Sequence, residues 1–256
     1  MNPEVNTWMQ LIFRWAHVIA GVIWIGHLYF FNWVNGPFAK TLGDEKRKII
    51  PELLPRALFW FRWGAAWTWI TGMLLVGLIY YHGRVVFDDP TTGSMGLGLG
   101  LLVASLVAAF VYDVIQRFVS NLIVANTLSL VLLAAMYALL KHVGGYGGRS
   151  LYIHVGLMFG TAMALNVWMR IWPAQKKIIP AIKEGVAPDA ALAAMATLRS
   201  RHNTYMSVPL LFLMVSNHYP TIYGSSLAEV FLIGFIAVGF IATRMFYGKA
   251  GNVQGM

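Results

Sequence analysis

Apolar segments long enough to cross a lipid bilayer recur along this chain. Hydrophobic residues make up 58% of its 256 residues and charged residues only 11%, against roughly 25% charged residues in a soluble domain. A span needs about 20 apolar residues, and a helix satisfies its own backbone polar groups in lipid. We therefore predict an all-α fold, a polytopic transmembrane helical bundle that forms a single domain over residues 1–256. Seven spans are expected, at about residues 8–34, 57–81, 97–119, 121–140, 150–172, 204–220 and 226–246.

The basic residues predict how the bundle is inserted. If the amino terminus lies outside, four of the 19 Lys and Arg residues fall at the outer face, which leaves fifteen at the inner face. This asymmetry follows the positive-inside rule, so the carboxyl terminus is expected in the cytoplasm. Since the basic residues lie in loops between apolar segments, topology explains the net charge of +9. The predicted surroundings are membrane lipid, and no nucleic-acid partner is expected. The four outer residues are Arg14, Arg84, Lys141 and Arg149.

The chain contains no cysteine. This excludes disulfides, iron–sulfur clusters, thiolate nucleophiles and covalently attached c-type haem within the chain. Any haem bound here would be non-covalent and held by histidine or methionine.

Local patterns predict how the spans end. The sixth span is interrupted by Pro209, and broken helices at membrane depth often line a cavity. An Ala-rich run from Pro188 to Leu198 predicts a short interfacial helix before that span. Aromatic residues near span ends are typical of an interfacial belt. They are Trp8, Trp33, Tyr80, Tyr81, Trp172, Tyr219 and Tyr223.

Several other polar residues lie within or beside the spans. Asp113 and Arg117 are four residues apart, which predicts a self-neutralising pair at a helix end. His202 stands close to Arg199 and Arg201 and is expected in a solvated cytoplasmic loop. Side-chain amides can hydrogen-bond between membrane helices. The candidates are Asn121, Asn126 and Asn166.

Five of the seven histidines fall near span ends on the predicted outer side. They are His17, His82, His142, His154 and His218. Imidazole is a common metal ligand and a standard axial ligand of haem. Ionisable groups inside a bilayer are costly and therefore often functional. The pattern predicts that imidazoles from separate helices meet at a common depth and bind a redox cofactor.

We assign the predicted cofactor as haem b, one or two per chain. His17 and His154 lie furthest inside the spans and are the preferred ligands of the haem iron. His82, His142 and His218 are alternative ligands or ligands of a second haem. For His82 and His142, an interfacial position without a cofactor is an equally good interpretation. His27 is either a second-site ligand or a satisfied polar contact.

The sequence Asn217-His218-Tyr219-Pro220 places an amide, an imidazole and a phenol at the outer end of the sixth span. These groups can hydrogen-bond a planar polar substrate. We therefore take Asn217 and His218 as the candidate catalytic residues.

Two stretches resemble a known family. The segment from Arg14 to Gly26 is similar to the first membrane helix of the bacterial membrane-bound, cytochrome-linked urate oxidases, also called urate hydroxylases. The segments 201–210 and 216–220 resemble the late signature of the same family. The resemblance extends over roughly the whole chain and corresponds to the membrane domain of that family.

The resemblance implies a multi-pass oxidoreductase of the bacterial inner membrane that works in purine catabolism. Such a protein would oxidise urate or a similar purine and pass the electrons to a cytochrome c. In that family a c-type cytochrome domain commonly follows the membrane part, but no Cys-x-x-Cys-His motif occurs here. The expected partner is therefore a separate c-type cytochrome or subunits of a respiratory complex.

Two other functions stay open at this point. The chain could be a non-catalytic, cytochrome b-like subunit that transfers electrons or anchors a larger respiratory complex. It could also be a haem-free transporter that uses the interrupted sixth span.

Overall fold

A computed structural model describes residues 2–89, 91 and 93–253. Within these residues the chain is helical and forms no strand, and an isolated bridge joins Phe87 to Tyr146. The predicted all-α fold is confirmed. The helices are α1 Pro3–Tyr29, α2 Gly36–Phe38, α3 Lys46–Leu75, α4 Met95–Phe118, α5 Leu122–Ala138, α6 Gly148–Leu165, α7 Trp172–Glu184, α8 Ala190–Ser216, α9 Pro220–Tyr223 and α10 Ala228–Ala250.

Side-chain caps set where several helices begin. The side-chain oxygens of Asn2, Ser94, Asn121 and Asp189 accept hydrogen bonds from backbone N–H groups at the start of α1, α4, α5 and α8. Such caps satisfy donors that have no partner within the helix. Asn121 is thus a capping residue, whereas it was expected to bond between helices.

Four helices continue without a break into π-helical turns. These wider turns extend α1, α3, α5 and α6 by five to seven residues. Turns of this kind are rare and often lie at functional sites. They are Phe30–Asn35, Val76–His82, Leu139–Val143 and Asn166–Ile171.

Among the described residues, six helical segments are long and apolar enough to cross a membrane. This is consistent with a multi-pass membrane protein. The sixth predicted span, at 204–220, lies mostly in α8, which is not one of the six segments, so a count of seven spans stays a prediction. The six segments are Pro3–Phe38, Gly43–His82, Met95–Phe118, Leu122–Val143, Gly148–Glu184 and Ala228–Ala250.

The interfacial helix predicted for 188–198 is not a separate element. Asp189 caps a single helix, α8, that runs from Ala190 to Ser216 and passes through Pro209. Gly239 of α10 packs against this proline: a Cβ atom on Gly239 would lie 2.8 Å from Pro209 Cδ. The proline therefore lies within a helix pair rather than at a break.

Helix α6 forms the centre of the bundle. Most of its residues are buried, and it packs against α3, α4, α5 and α8. On the outside of the bundle, large apolar side chains such as Val22, Phe118 and Ile123 are exposed. An apolar outer surface of this kind suits lipid rather than water.

Candidate functional site

The imidazole of His154 is fully buried. Its Nδ1 lies 2.7 Å from the carbonyl oxygen of Ser150, and its Nε2 lies 3.0 Å from the hydroxyl of Tyr81. The hydroxyls of Tyr81 and Tyr146 are 2.9 Å apart, and both reach the carbonyl oxygen of Gly98. We call His154, Tyr81 and Tyr146 the tyrosine–histidine cluster.

Backbone pairing of two loops builds this cluster. The Asp88 N–H donates to the carbonyl of Gly145, and the Gly147 N–H donates to the carbonyl of Val86. These bonds hold Tyr146 over the start of α6, with its ring centroid 4.8 Å from that of His154.

The hydrogen bonds of His154 fix its tautomer. A carbonyl oxygen can only accept, so Nδ1 carries the proton that is donated to Ser150. Nε2 then accepts a hydrogen bond from the Tyr81 hydroxyl. Metal-bound histidines use the same tautomer, with Nδ1–H on a carbonyl. In the described residues, however, both ring nitrogens of His154 are occupied, and Tyr81 would have to leave Nε2 before a metal could bind.

His17 has a more open environment. Its Nδ1 lies 3.1 Å from Thr71 Oγ1, and the Thr71 hydroxyl donates to the carbonyl of Trp67 at 2.6 Å. Because the Thr71 hydroxyl proton is used in the bond to Trp67, Thr71 Oγ1 acts as the acceptor and His17 Nδ1 as the donor. Gly72 makes room for the ring, since a Cβ atom there would be 3.1 Å from His17 Cε1. Within the described part of the chain, Nε2 of His17 has no hydrogen bond.

His17 and His154 have different partners in the structure. Thr71, the partner of His17, lies in α3, and Tyr81, the partner of His154, lies ten residues later in the π-helical turn that continues α3. Among the described residues, no group of three or more His, Asp or Glu side chains could hold a metal ion. Ligation of one haem iron by His17 and His154 stays a prediction.

The other histidines are spread over the bundle. His82, His142 and His218 are exposed. His27 is partly buried, and its Nδ1 donates to the carbonyl of Ile23 at 2.7 Å. For His27, the satisfied polar contact is what the structure shows.

Asn217 connects the end of α8 to the start of α6. Its Oδ1 accepts from Arg149 Nε at 2.5 Å and from the Tyr80 hydroxyl at 3.0 Å. The Arg149 guanidinium also lies 5.7 Å from the centroid of the Tyr80 ring. Tyr80 and Tyr81 are buried, so they are parts of this polar network, whereas an interfacial belt was expected for them.

Arg149 lines a cavity of about 510 Å³. We call it the outer cavity, because the charge pattern predicts this end of the bundle to lie outside. One wall carries an ion pair between Lys141 and Glu229, and the Tyr137 hydroxyl donates to the same carboxylate at 3.2 Å. Further polar lining groups are Asp88, Tyr146, Ser150, Tyr152, Tyr223, Ser225 and Ser226. Charged and phenolic groups around one concave space suit a small polar molecule.

A second polar network lies where α4 ends. Asp113 forms ion pairs with Arg170 and, at 3.0 Å, with Arg199. The predicted pair with Arg117 is wrong, because two arginines from other helices reach Asp113 instead. Arg199 is only 2% exposed, and it donates to Asn166 at 3.3 Å.

The same network corrects the expectation for His202. Its Nδ1 lies 2.9 Å from the Tyr112 hydroxyl, so the histidine packs against α4 and does not belong to a solvated loop. The expected bonds between helices are confirmed for Asn166, which donates to Asn203 at 2.8 Å, and for Asn126, which accepts from Gln116 at 2.9 Å.

Sequence reasoning missed the tyrosines and Arg149 as site residues. Tyr80 and Tyr81 were assigned to the membrane interface, and Arg149 was counted only for its charge. A signal was present: Arg149 lies five residues before His154 and follows a glycine run. Such runs allow loops to fold closely over a helix start.

The fold and the site define an all-helical protein whose long apolar helices are consistent with a multi-pass membrane protein, and polar networks lie at both ends of its bundle. The chain matches the model of the family described as "Urate oxidase N-terminal" over residues 3–48 and 42–255. It therefore belongs to that family, as the two sequence stretches predicted. Membership indicates an oxidoreductase-like role in urate handling. Comparisons with curated proteins and with solved structures gave no match.

Proposed function

We propose that this chain oxidises urate or a similar purine at the outer end of a bacterial inner-membrane bundle. The electrons pass to a separate c-type cytochrome or to a respiratory-complex subunit. Family membership supports the purine substrate, and the outer cavity supports the place where it binds.

The observation that carries the proposal is the position of Arg149. Its Nε donates to Asn217, its guanidinium lies against the Tyr80 ring, and it lines the outer cavity. Urate is a planar acid that is an anion at neutral pH and carries several carbonyl oxygens. A guanidinium that is held in place beside a cavity is well suited to bind such an anion.

Asn217 and His218 have complementary roles in this proposal. The Oδ1 atom of Asn217 is occupied by Arg149 and Tyr80, which leaves its amide N–H groups as donors to the purine. Oxidation of the purine releases protons as well as electrons. His218 is exposed next to Asn217, and an imidazole can act as a general base.

Haem b, one or two per chain, stays a prediction. No step above depends on it. An absorption spectrum of the purified chain, followed by pyridine haemochrome analysis, tests for this cofactor. A bound haem would supply one-electron transfer between purine and cytochrome.

Urate-dependent reduction of an added c-type cytochrome tests the function. The full chain in lipid nanodiscs should reduce the cytochrome only when urate is present. Arg149→Met should lower kcat/KM for urate about tenfold or more, because a charge-assisted hydrogen bond contributes about 1.5–3 kcal/mol.

Arg84→Gln is the matched control. It removes a positive charge from an exposed residue on the same side that does not line the outer cavity, so it should keep the activity. If wild-type chain supplied with urate leaves the cytochrome oxidised, the proposal is wrong.

A further inference from the structure

A second cavity of about 520 Å³ lies between α4, α5, α6, α8 and α10, and we call it the inner cavity. Its volume is within the range of small-molecule sites, about 300–1,000 Å³. Apolar and aromatic side chains such as Leu133, Phe159 and Phe240 form most of its wall. A few polar groups lie among them, and they are Tyr112, Gln116, Asn126, Ser129, Arg201 and His202.

The hydrogen bonds of α4 and α5 orient the amide of Asn126. The Ser129 hydroxyl donates to the carbonyl of Ala125 at 2.8 Å, so Ser129 Oγ is an acceptor for Gln116 Nε2 at 3.1 Å. The same Gln116 nitrogen donates to Asn126 Oδ1 at 2.9 Å. Asn126 is exposed, and in the described residues its Nδ2 is left as a donor without a partner.

A second chain of bonds orients His202. The Arg199 guanidinium can only donate, so Asn166 accepts through Oδ1 and donates through Nδ2 to the Tyr112 oxygen at 3.2 Å. The Tyr112 hydroxyl is then free to donate to His202 Nδ1 at 2.9 Å. This places the ring proton of His202 on Nε2, a second donor that has no partner in the described part of the chain.

Two donors from different helices therefore border one apolar cavity. Within apolar segments, donors without acceptors cost free energy, so a ligand that brings acceptors is favoured. We propose that the inner cavity binds the head of a membrane quinone. The two carbonyl oxygens of the ring accept from Asn126 and His202, and the ring and tail contact the apolar wall. The acyl chain of a lipid has no acceptor for these donors.

Direct binding measurements test the site. Decylubiquinone is titrated into the full chain in nanodiscs of defined phospholipid, with decylbenzene as a ligand of similar shape that lacks carbonyls. We expect saturable binding at one site for the quinone and much weaker binding for decylbenzene. The quinol, whose hydroxyls donate, should also bind less tightly than the quinone.

Two substitutions remove the donors singly. Asn126→Leu and His202→Phe should each weaken quinone binding about two- to tenfold, the effect of one neutral hydrogen bond. Asn121→Ser is the matched control, because it removes an amide from the same helix outside the cavity and keeps the α5 cap.

Three results would overturn the assignment: equal binding of quinone and decylbenzene, unchanged binding in both donor variants, or phospholipid as the sole occupant. If a variant does not fold, the comparison of the two ligands on wild-type chain still decides. Quinone binding needs no urate, so this site and the proposed function succeed or fail separately.

Discussion

At the scale of single residues, burial decides what a polar side chain can do. His154 is enclosed by Tyr81, Tyr146 and Ser150, and both of its nitrogens are used. Arg149 is held by Asn217 and Tyr80 and lines the outer cavity. The first arrangement favours a rigid structural group, and the second favours a group that binds a ligand.

The Tyr81→Phe variant tests the structural role of the tyrosine–histidine cluster. Loss of the hydroxyl leaves His154 Nε2 buried without a donor, so we expect a loss of about 1–3 kcal/mol in the free energy of unfolding. Reversible denaturation in detergent micelles measures it. Tyr219→Phe, at a tyrosine that is 55% exposed, should change stability little, and equal losses in both variants would contradict the role.

Predictions from residue spacing were wrong where the partner of a side chain lies in a distant segment of the chain. The spacing of Asp113 and Arg117 predicts a pair within one helix, yet Arg170 and Arg199 lie closer in space. The histidine pattern likewise predicts His17 and His154 on the same side of the membrane. It does not predict which residue of α3, or of the π-helical turn after it, each ring contacts. These contacts depend on helix packing, which periodicity does not specify.

At the scale of elements, hydropathy and length were sufficient to find most helices. The span predicted at 97–119 is observed as Met95–Phe118, and that at 121–140 begins one residue later, at Leu122. The Ala-rich run was predicted as a separate interfacial helix, and Pro209 as an interruption of the sixth span. The structure has one helix from Ala190 to Ser216, and α10 packs closely against the proline.

Gly239→Ala tests that helix contact. The added methyl group would lie 2.8 Å from Pro209 Cδ, and overpacking of this kind costs about 1–3 kcal/mol of the free energy of unfolding. Gly234→Ala, in the same helix and with no atom within 4 Å of the added carbon, is the control. It should be neutral or slightly stabilising, because alanine favours helices by up to about 1 kcal/mol over glycine. Thermal unfolding that ranks the two variants in the opposite order would contradict the contact.

At the scale of the whole molecule, ion pairs connect helices that are far apart in the sequence. Asp113 of α4 binds Arg199 of α8 and Arg170 of the turn after α6. Arg199 also donates to the carbonyl of Asp113 and to Asn166, so its removal would leave buried acceptors without a donor. The network therefore fixes three helices relative to one another at the end where the inner cavity lies.

Arg199→Met should destabilise the bundle by about 1–3 kcal/mol, because buried acceptors lose their donor while Asp113 keeps its pair with Arg170. The exposed pair between Glu52 and Arg56 provides the comparison: Glu52→Gln should cost at most about 1 kcal/mol. Chemical denaturation of both variants measures the difference. A loss for Arg199→Met no greater than that for Glu52→Gln would show that the network does not stabilise the fold.

Helix α6 contributes to both cavities, through Ser150 and Tyr152 at one end and Met158 and Phe159 further along. The two sets are six residues apart, about 9 Å of helix rise. One continuous helix therefore connects the two cavities. If a ligand in one cavity changes the affinity of the other cavity for its ligand, the second ligand must change the affinity for the first by the same factor.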